Sequence, residues 1–105
     1  MAEVHIDRVH CESVVLDIGQ DIGALIIYTE ADLRGREIEV SPRGSAASRV
    51  HVEVLERRIN GRSVFAAVFP GLRTGDWNIW ENGPNPSGTI AIVGGEVATV
   101  DWRRS

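Results

Sequence analysis

The residues best suited to chemistry lie in a short acidic loop in the N-terminal part of the chain. The segment Asp17-Ile18-Gly19-Gln20-Asp21-Ile22-Gly23 repeats Asp-Ile-Gly around one glutamine. Two carboxylates on one tight loop can bind Ca²⁺ or Mg²⁺, although Ca²⁺ usually takes about six to eight oxygen ligands. Asp and Gly are also the residues that close turns. We therefore favour a turn, keep Asp17 and Asp21 as candidate binding residues, and predict neither a metal nor a cofactor.

A histidine and a glutamate form the second candidate group. His51 and Glu53 are two positions apart, so they share one face of a strand. With an aspartate of the acidic loop they could form a small hydrolytic site. The sequence has no Gly-x-Ser-x-Gly nucleophile motif, and nothing in it marks Cys11 as an activated thiolate. No catalytic residue is predicted, and a polar row on the surface is the favoured interpretation.

Trp80 is the third candidate. Alternation over residues 76–80 directs Trp77 and Ile79 inward, and Trp80 outward. An outward tryptophan can be a binding hot spot for a partner protein. It can also lie on the sheet surface beneath the 82–87 loop, which is the interpretation that we favour.

Composition limits the class of protein. A chain of 105 residues has the length of one domain, here residues 1–105. The net charge of -4 argues against nucleic-acid binding, and a single cysteine excludes an internal disulfide. The apolar run over 22–28 is too short to cross a membrane, and no secretory signal is apparent. We expect a cytoplasmic protein with no nucleic-acid or membrane partner.

Alternating patterns and turn residues predict most of the strands. Alternation predicts one strand over 36–40 and a second over 49–58, paired through the loop 43–48. Asn60-Gly61 is the favoured pair for a two-residue hairpin, which joins the second strand to a third over 62–69.

Glycine and proline divide the C-terminal half. Pro70-Gly71 predicts a turn at the end of the third strand, before the strand over 76–80. Gly94-Gly95 predicts a final hairpin between strands over 89–93 and 97–102.

A single helical turn is expected between these β elements. Residues 29–35 suit such a turn, with Thr29 as its cap and Gly35 closing it in the left-handed conformation. About eight short strands and one helical turn predict an all-β, two-sheet antiparallel sandwich of the prealbumin-like or Ig-like kind.

Two segments resemble known families. The segment Phe69-Pro70-Gly71-Leu72-Arg73-Thr74-Gly75-Asp76-Trp77-Asn78-Ile79, with the strand, Gly94-Gly95 and closing strand that follow it, resembles the end of Cna B-type and prealbumin-like sandwiches. This resemblance implies fold and not activity. The segment Val14-Val15-Leu16-Asp17-Ile18-Gly19-Gln20-Asp21-Ile22-Gly23-Ala24-Leu25 resembles a family of small proteins from high-GC bacteria, which implies no particular activity. Cna B-type domains use a Lys–Asn crosslink, which a chain without lysine cannot form.

The ending of the chain is similar to that of another prealbumin-like group. Asp101-Trp102-Arg103-Arg104-Ser105 is similar to the Tyr-Arg-Gly-Ser ending of 5-hydroxyisourate hydrolases. Those enzymes use a histidine just upstream, and residues 94–101 contain none. We therefore do not predict that activity.

Two segments are apolar on both strand faces, which bears on function. Residues 24–28 and 64–69 must be central in the fold or covered by a partner chain. We predict a small non-catalytic module that acts through protein–protein contact or self-assembly, as a homo-oligomer or with a protein partner. The alternative is a small hydrolase or a small-ligand or metal-binding protein with its site around Asp17, Asp21 and His51.

Overall fold

A computed structural model describes residues 6–7, 16, 18–45, 48–81 and 85–103 as two packed β-sheets. The predicted all-β sandwich is confirmed. The described strands are β1 (Ile6–Asp7), β2 (Ile22–Thr29), β3 (Glu37–Pro42), β4 (Val50–Glu53), β5 (Leu55–Ile59), β6 (Arg62–Arg73), β7 (Gly75–Trp80), β8 (Gly88–Ile92) and β9 (Val97–Asp101).

The strands divide five to four between the sheets. The five-stranded sheet has the order β1-β5-β6-β2-β9, and the four-stranded sheet has the order β4-β3-β7-β8. Neighbouring strands are antiparallel, with one exception: β9 runs parallel to β2, with Ile26 opposite Thr99. Within the described chain, β4 and β8 are therefore the two edges of the four-stranded sheet.

The predicted final hairpin is wrong. β8 pairs with β7 and β9 pairs with β2, so Gly94-Gly95 carries the chain from one sheet to the other. Gly94 allows the chain to approach the Gln20 backbone closely, and Gly95 adopts a left-handed backbone conformation. A Cβ at Gly94 would collide with the backbone carbonyl of Gln20, and Gly95 has a φ of +78°.

The main core lies between the two sheets. Alternate residues of β2 and β6 point into it. Leu25, Ile27 and Phe69 are fully buried there against Val40 and Ile79 of the other sheet. The opposite face of the five-stranded sheet has a second buried apolar cluster, formed by Ile26, Ile59, Ala66 and Val68. The predicted two-faced strands are thus central strands, and this pattern needs no partner chain.

The single strand predicted over 49–58 is also wrong. The chain breaks at Val54 into β4 of one sheet and β5 of the other. Val54 is fully buried at this corner, and its N–H donates to the carbonyl of Arg36. The apolar positions change parity at this break, from Val50, Val52 and Val54 to Leu55 and Ile59, a shift that the prediction of one continuous strand did not take into account. The predicted pairing of β3 with β4 is confirmed, with Ile38 opposite Val52.

The turn predictions have mixed outcomes. Asn60 and Gly61 both have positive φ, 54° and 77°, so the predicted hairpin between β5 and β6 is confirmed. The turn predicted at Pro70-Gly71 is wrong, because β6 continues to Arg73. Those two residues instead lie opposite Ala24, in an irregularity of the β2–β6 pairing.

The predicted helical turn is present as a 3₁₀ turn over Ala31–Leu33. Gly35 has the expected left-handed backbone, with a φ of +87°. The cap position is held by Glu30, which makes no side-chain capping bond. The predicted Thr29 cap is wrong, because Thr29 ends β2 and its hydroxyl donates to the carbonyl of Glu30.

Candidate functional site

Asp21 lies in a turn that is tied to the end of β6. Gly19 and Ile22 exchange two backbone hydrogen bonds, of 2.9 and 2.7 Å, around it. Its carbonyl accepts hydrogen bonds from the N–H and the hydroxyl of Thr74, at 2.8 and 2.9 Å. Its carboxylate lies 3.5 Å from the Arg73 guanidinium. The loop thus fastens the β6–β7 connection, while Asp17 lies outside the described residues.

His51 and Glu53 lie on the outer face of β4. His51 Nδ1 lies 3.1 Å from Oε2 of Glu37, and both side chains are exposed. Glu53 lies directly opposite Glu37 in the β3–β4 ladder. Two like charges placed opposite each other are unfavourable, and the imidazole beside them can offset part of that cost when protonated.

Trp80 faces the outer side of the four-stranded sheet, as its parity predicts, but it is only 9% exposed. Its indole N–H donates to the hydroxyl of Ser41 at 3.0 Å. The Arg49 guanidinium covers the ring at 4.0 Å from its centroid and also bonds Glu39 at 3.0 Å. The indole is therefore covered by the chain itself and is not presented as an exposed hot spot.

The predicted site residues do not converge in a described cavity. Asp21 lines a shallow depression of about 250 Å³ formed by residues 18–22. A cleft of about 640 Å³ between Ile22, Val50 and Trp77 opens at one end of the sandwich, and one of about 440 Å³ beside Trp102 opens at the other. His51 and Glu53 line none of these three cavities. Among the described residues, no group of three or more His, Cys, Asp or Glu could hold a metal ion.

The carboxyl of Asp101, at the end of β9, has a shifted pKa. Hydrogen bonds from the side chain and the backbone N–H of Arg103 lower the pKa of Asp101 to about 2. The same ion pair raises the pKa of Arg103, whose guanidinium also lies over the Tyr28 ring, 4.8 Å from its centroid. Both groups are exposed, so this pair fixes the end of an edge strand and does not form a buried acid.

A surface that the sequence analysis did not single out is strand β8. Its residues Gly-Thr-Ile-Ala-Ile, together with the following Val93, contain neither a charge nor a proline. Thr89 and Ala91 are exposed, and Val93 is 47% exposed. Among the described strands, β8 pairs with β7 alone. The absence of charge is visible in the sequence, but the position at a sheet edge is not.

The backbone of β8 offers unpaired groups toward solvent. In an antiparallel pair, residues alternate between those that bond the neighbouring strand and those that point away. The carbonyl of Asp76 accepts from the N–H of Arg43, so it points toward β3 and away from β8. Asp76 lies opposite Ala91, and Asn78 opposite Thr89. Thr89 and Ala91 therefore direct their N–H and C=O groups to the free side of β8.

The fold and these surfaces define a small all-β sandwich domain. The chain matches no family model, no curated protein and no solved structure. In the part of the chain that the structure describes, no helix is long and apolar enough to cross a membrane.

Proposed function

We propose that this protein is a small non-catalytic interaction module that binds a partner by adding a strand to the β8 edge of its four-stranded sheet. The observation that carries the proposal is the uncharged, exposed edge of Gly88–Ile92. Edge strands offer unpaired backbone groups, and proteins usually block them with charges, proline or bulges. An edge without such protection is suited to strand addition, in which the main chain provides the affinity.

Three features of β8 suit it to this role. Its outward backbone groups belong to Thr89 and Ala91, whose small side chains leave room for an approaching strand. Its inward residue Ile92 is buried in the main core, which anchors the strand to the sandwich. At its end, Gly94 packs against the Gln20 backbone and fixes where β8 stops. The strand is therefore anchored to β7 and the core on one side and has no neighbouring described strand on the other.

The alternative remains a hydrolase or a small-ligand or metal-binding protein with a site around Asp17, Asp21 and His51. The described contacts favour it less, because Asp21 bonds Arg73 while His51 bonds Glu37 on the opposite sheet. The cytoplasmic location expected from the sequence stays a prediction.

The test is the binding of a fluorescent peptide that copies Gly88–Val93 between flanking lysines. Its anisotropy is followed as the protein is titrated from nanomolar concentrations upward. The wild-type chain is expected to bind. Ala91→Lys is expected to weaken binding at least tenfold, because a lysine at the open edge repels the lysine-flanked strand and blocks its approach.

The matched control is Thr99→Lys, which adds the same charge to an exposed position of the other sheet's edge strand, β9. It is expected to bind the peptide within about twofold of wild type. Any weakening that comes only from the added positive charge, and not from its position at the β8 edge, will appear in this control. Equal weakening by both substitutions, or no binding by the wild-type chain, would remove the proposal.

A further inference from the structure

Resting on the proposed function, we infer that the strand added at β8 is β8 of a second copy of this chain. The two strands run antiparallel about a twofold axis at Ile90, the central residue of Gly88–Ile92. In this register Thr89 of one chain faces Ala91 of the second copy, and Ile90 faces Ile90. The two four-stranded sheets then form one continuous sheet of eight strands.

The backbone supports this register. The outward N–H and C=O groups of β8 belong to Thr89 and Ala91, and these two residues lie symmetrically on either side of Ile90. Full overlap of the two strands pairs each of these groups with its counterpart, for about four interchain hydrogen bonds. No outward backbone group within the strand is left without a partner, and a shift of register by one residue in either direction would reduce the overlap.

The side chains also match across the axis. An axis perpendicular to the sheet keeps the inner face of one chain continuous with the inner face of the other. Ile90 lies on that inner face, opposite Trp77 in the ladder, so two half-buried isoleucines meet at the axis. On the outer face Thr89 meets Ala91, a pair without bulk or charge. Such aliphatic and small pairs are favourable cross-strand neighbours.

Charge favours a second copy over a different protein. Self-pairing of β8 brings no like charges into register, because the strand has none. The charged residue nearest to it on the outer face of β7, Asp76, is already paired with Arg43 at 3.9 Å. The edge also presents no charge pattern by which an acidic or a basic partner would be selected. An uncharged strand that is complementary to itself is the partner that these features describe.

The experiment uses two single-cysteine chains, Thr89→Cys and Ala91→Cys, each made in the Cys11→Ser background so that no other thiol is present. Directly opposed residues in a hydrogen-bonded pair have Cα atoms about 5.5 Å apart, within reach of a disulfide. Two copies of the same residue are offset along the strands, more than about 8 Å apart, which a disulfide cannot span. Mild oxidation is expected to link the two chains when mixed and neither chain alone.

The outcomes separate this inference from the proposed function. A disulfide in Ala91→Cys alone would mean a different register and overturn the axis at Ile90. No disulfide in any mixture, with the β8 peptide still bound by the wild-type chain, would overturn the second copy and leave strand addition intact. No disulfide and no peptide binding would remove both. Thr99→Cys in the same background is the matched control and is expected not to crosslink with either chain.

Discussion

The two edges of the four-stranded sheet, β4 and β8, are built in opposite ways. β4 has His51 and Glu53 on its outer face, and Arg49 immediately before it bonds Glu39 and covers Trp80. β8 has no charge, and the exposed Val93 follows it directly. Charged side chains along an edge make the approach of a further strand costly. The difference teaches that charge protects one edge of this sheet, β4 (the closed edge), and not the other, β8 (the open edge).

The same comparison shows where two of the predicted chemical residues lie. His51 and Glu53 are surface residues of the closed edge, where their partners are the neighbouring side chains of β3. Exposed pairs of this kind contribute only about 0–1 kcal/mol each, so their main effect is on what can approach. Their position suits protection of an edge better than catalysis.

The largest expected effect comes from Gly94, which fixes the end of the open edge. Gly94→Ala places a Cβ against the backbone of Gln20 and Asp21, which cannot give way as a flexible side chain would. We expect a loss of about 3 kcal/mol in the free energy of unfolding, measured by urea denaturation. Gly88→Ala, at the other end of β8, meets open space and is expected to change stability by less than about 0.5 kcal/mol. Equal losses in both variants would contradict this role of Gly94.

The next largest effect is expected at Trp80, whose ring is covered by Arg49, the residue just before the closed edge β4. Trp80→Phe removes the indole N–H and leaves the buried Ser41 hydroxyl without its donor. We expect a loss of about 2 kcal/mol in the free energy of unfolding. The check is a double-mutant cycle: Ser41→Ala should cost clearly less in the Trp80→Phe background than in wild type. Additive losses would mean that the hydrogen bond does not couple the two side chains.

The difference between the two edges can also be removed by replacing the ionisable side chains on the outer face of β4. His51→Thr with Glu53→Thr gives that strand an uncharged outer face like that of β8 and also removes the Glu37–Glu53 opposition. We expect self-association to increase about tenfold, equivalent to about 1.4 kcal/mol, seen as species larger than a dimer in light scattering. The control His51→Arg with Glu53→Asp has a charged side chain at both positions and should not associate more than wild type. An unchanged mass distribution in the uncharged variant would show that these two residues do not protect the edge.

The smallest effect lies at the end of β9. Because the folded-state pKa of Asp101 is lowered to about 2, below the ordinary 3.8, the ion pair favours the folded state above the ordinary pKa. That contribution is lost as the pH falls from about 4 to about 2. An NMR titration of the Asp101 carboxyl should give a midpoint near 2 in wild type and a higher one, toward 3.8, in Arg103→Gln. The same midpoint in both chains would contradict the assigned cause.

Local patterns predicted the elements of this fold and not their assembly. The Asn60-Gly61 hairpin and the two-faced β2 and β6 follow from turn chemistry and periodicity, which are properties of neighbouring residues. The shift of apolar parity at Val54-Leu55 does not indicate that the next strand joins the other sheet, and Gly94-Gly95 can serve a hairpin or a crossover equally well. These features depend on which distant strand accepts the backbone hydrogen bonds, so no local signal marks them.

The candidate site was less predictable for a related reason. The alternation of inward and outward residues over 76–80 correctly predicted that Trp80 lies on the outer face. It does not indicate that Arg49 covers the ring. The pairing of Asp21 with Arg73 joins residues far apart in the chain. Likewise, the uncharged composition of β8 can be read from the sequence, whereas its position at an edge requires the order of all four strands.

The measurement that tests the central claim most directly is the solution mass of wild type, Ala91→Lys and Thr99→Lys, by light scattering over a range of concentrations. We predict that wild type and Thr99→Lys approach twice the chain mass of 11.5 kDa as concentration rises. Ala91→Lys should remain at 11.5 kDa throughout. A wild-type chain that is monomeric at every concentration, or a dimer that persists in Ala91→Lys, would contradict pairing of two copies at the β8 edge.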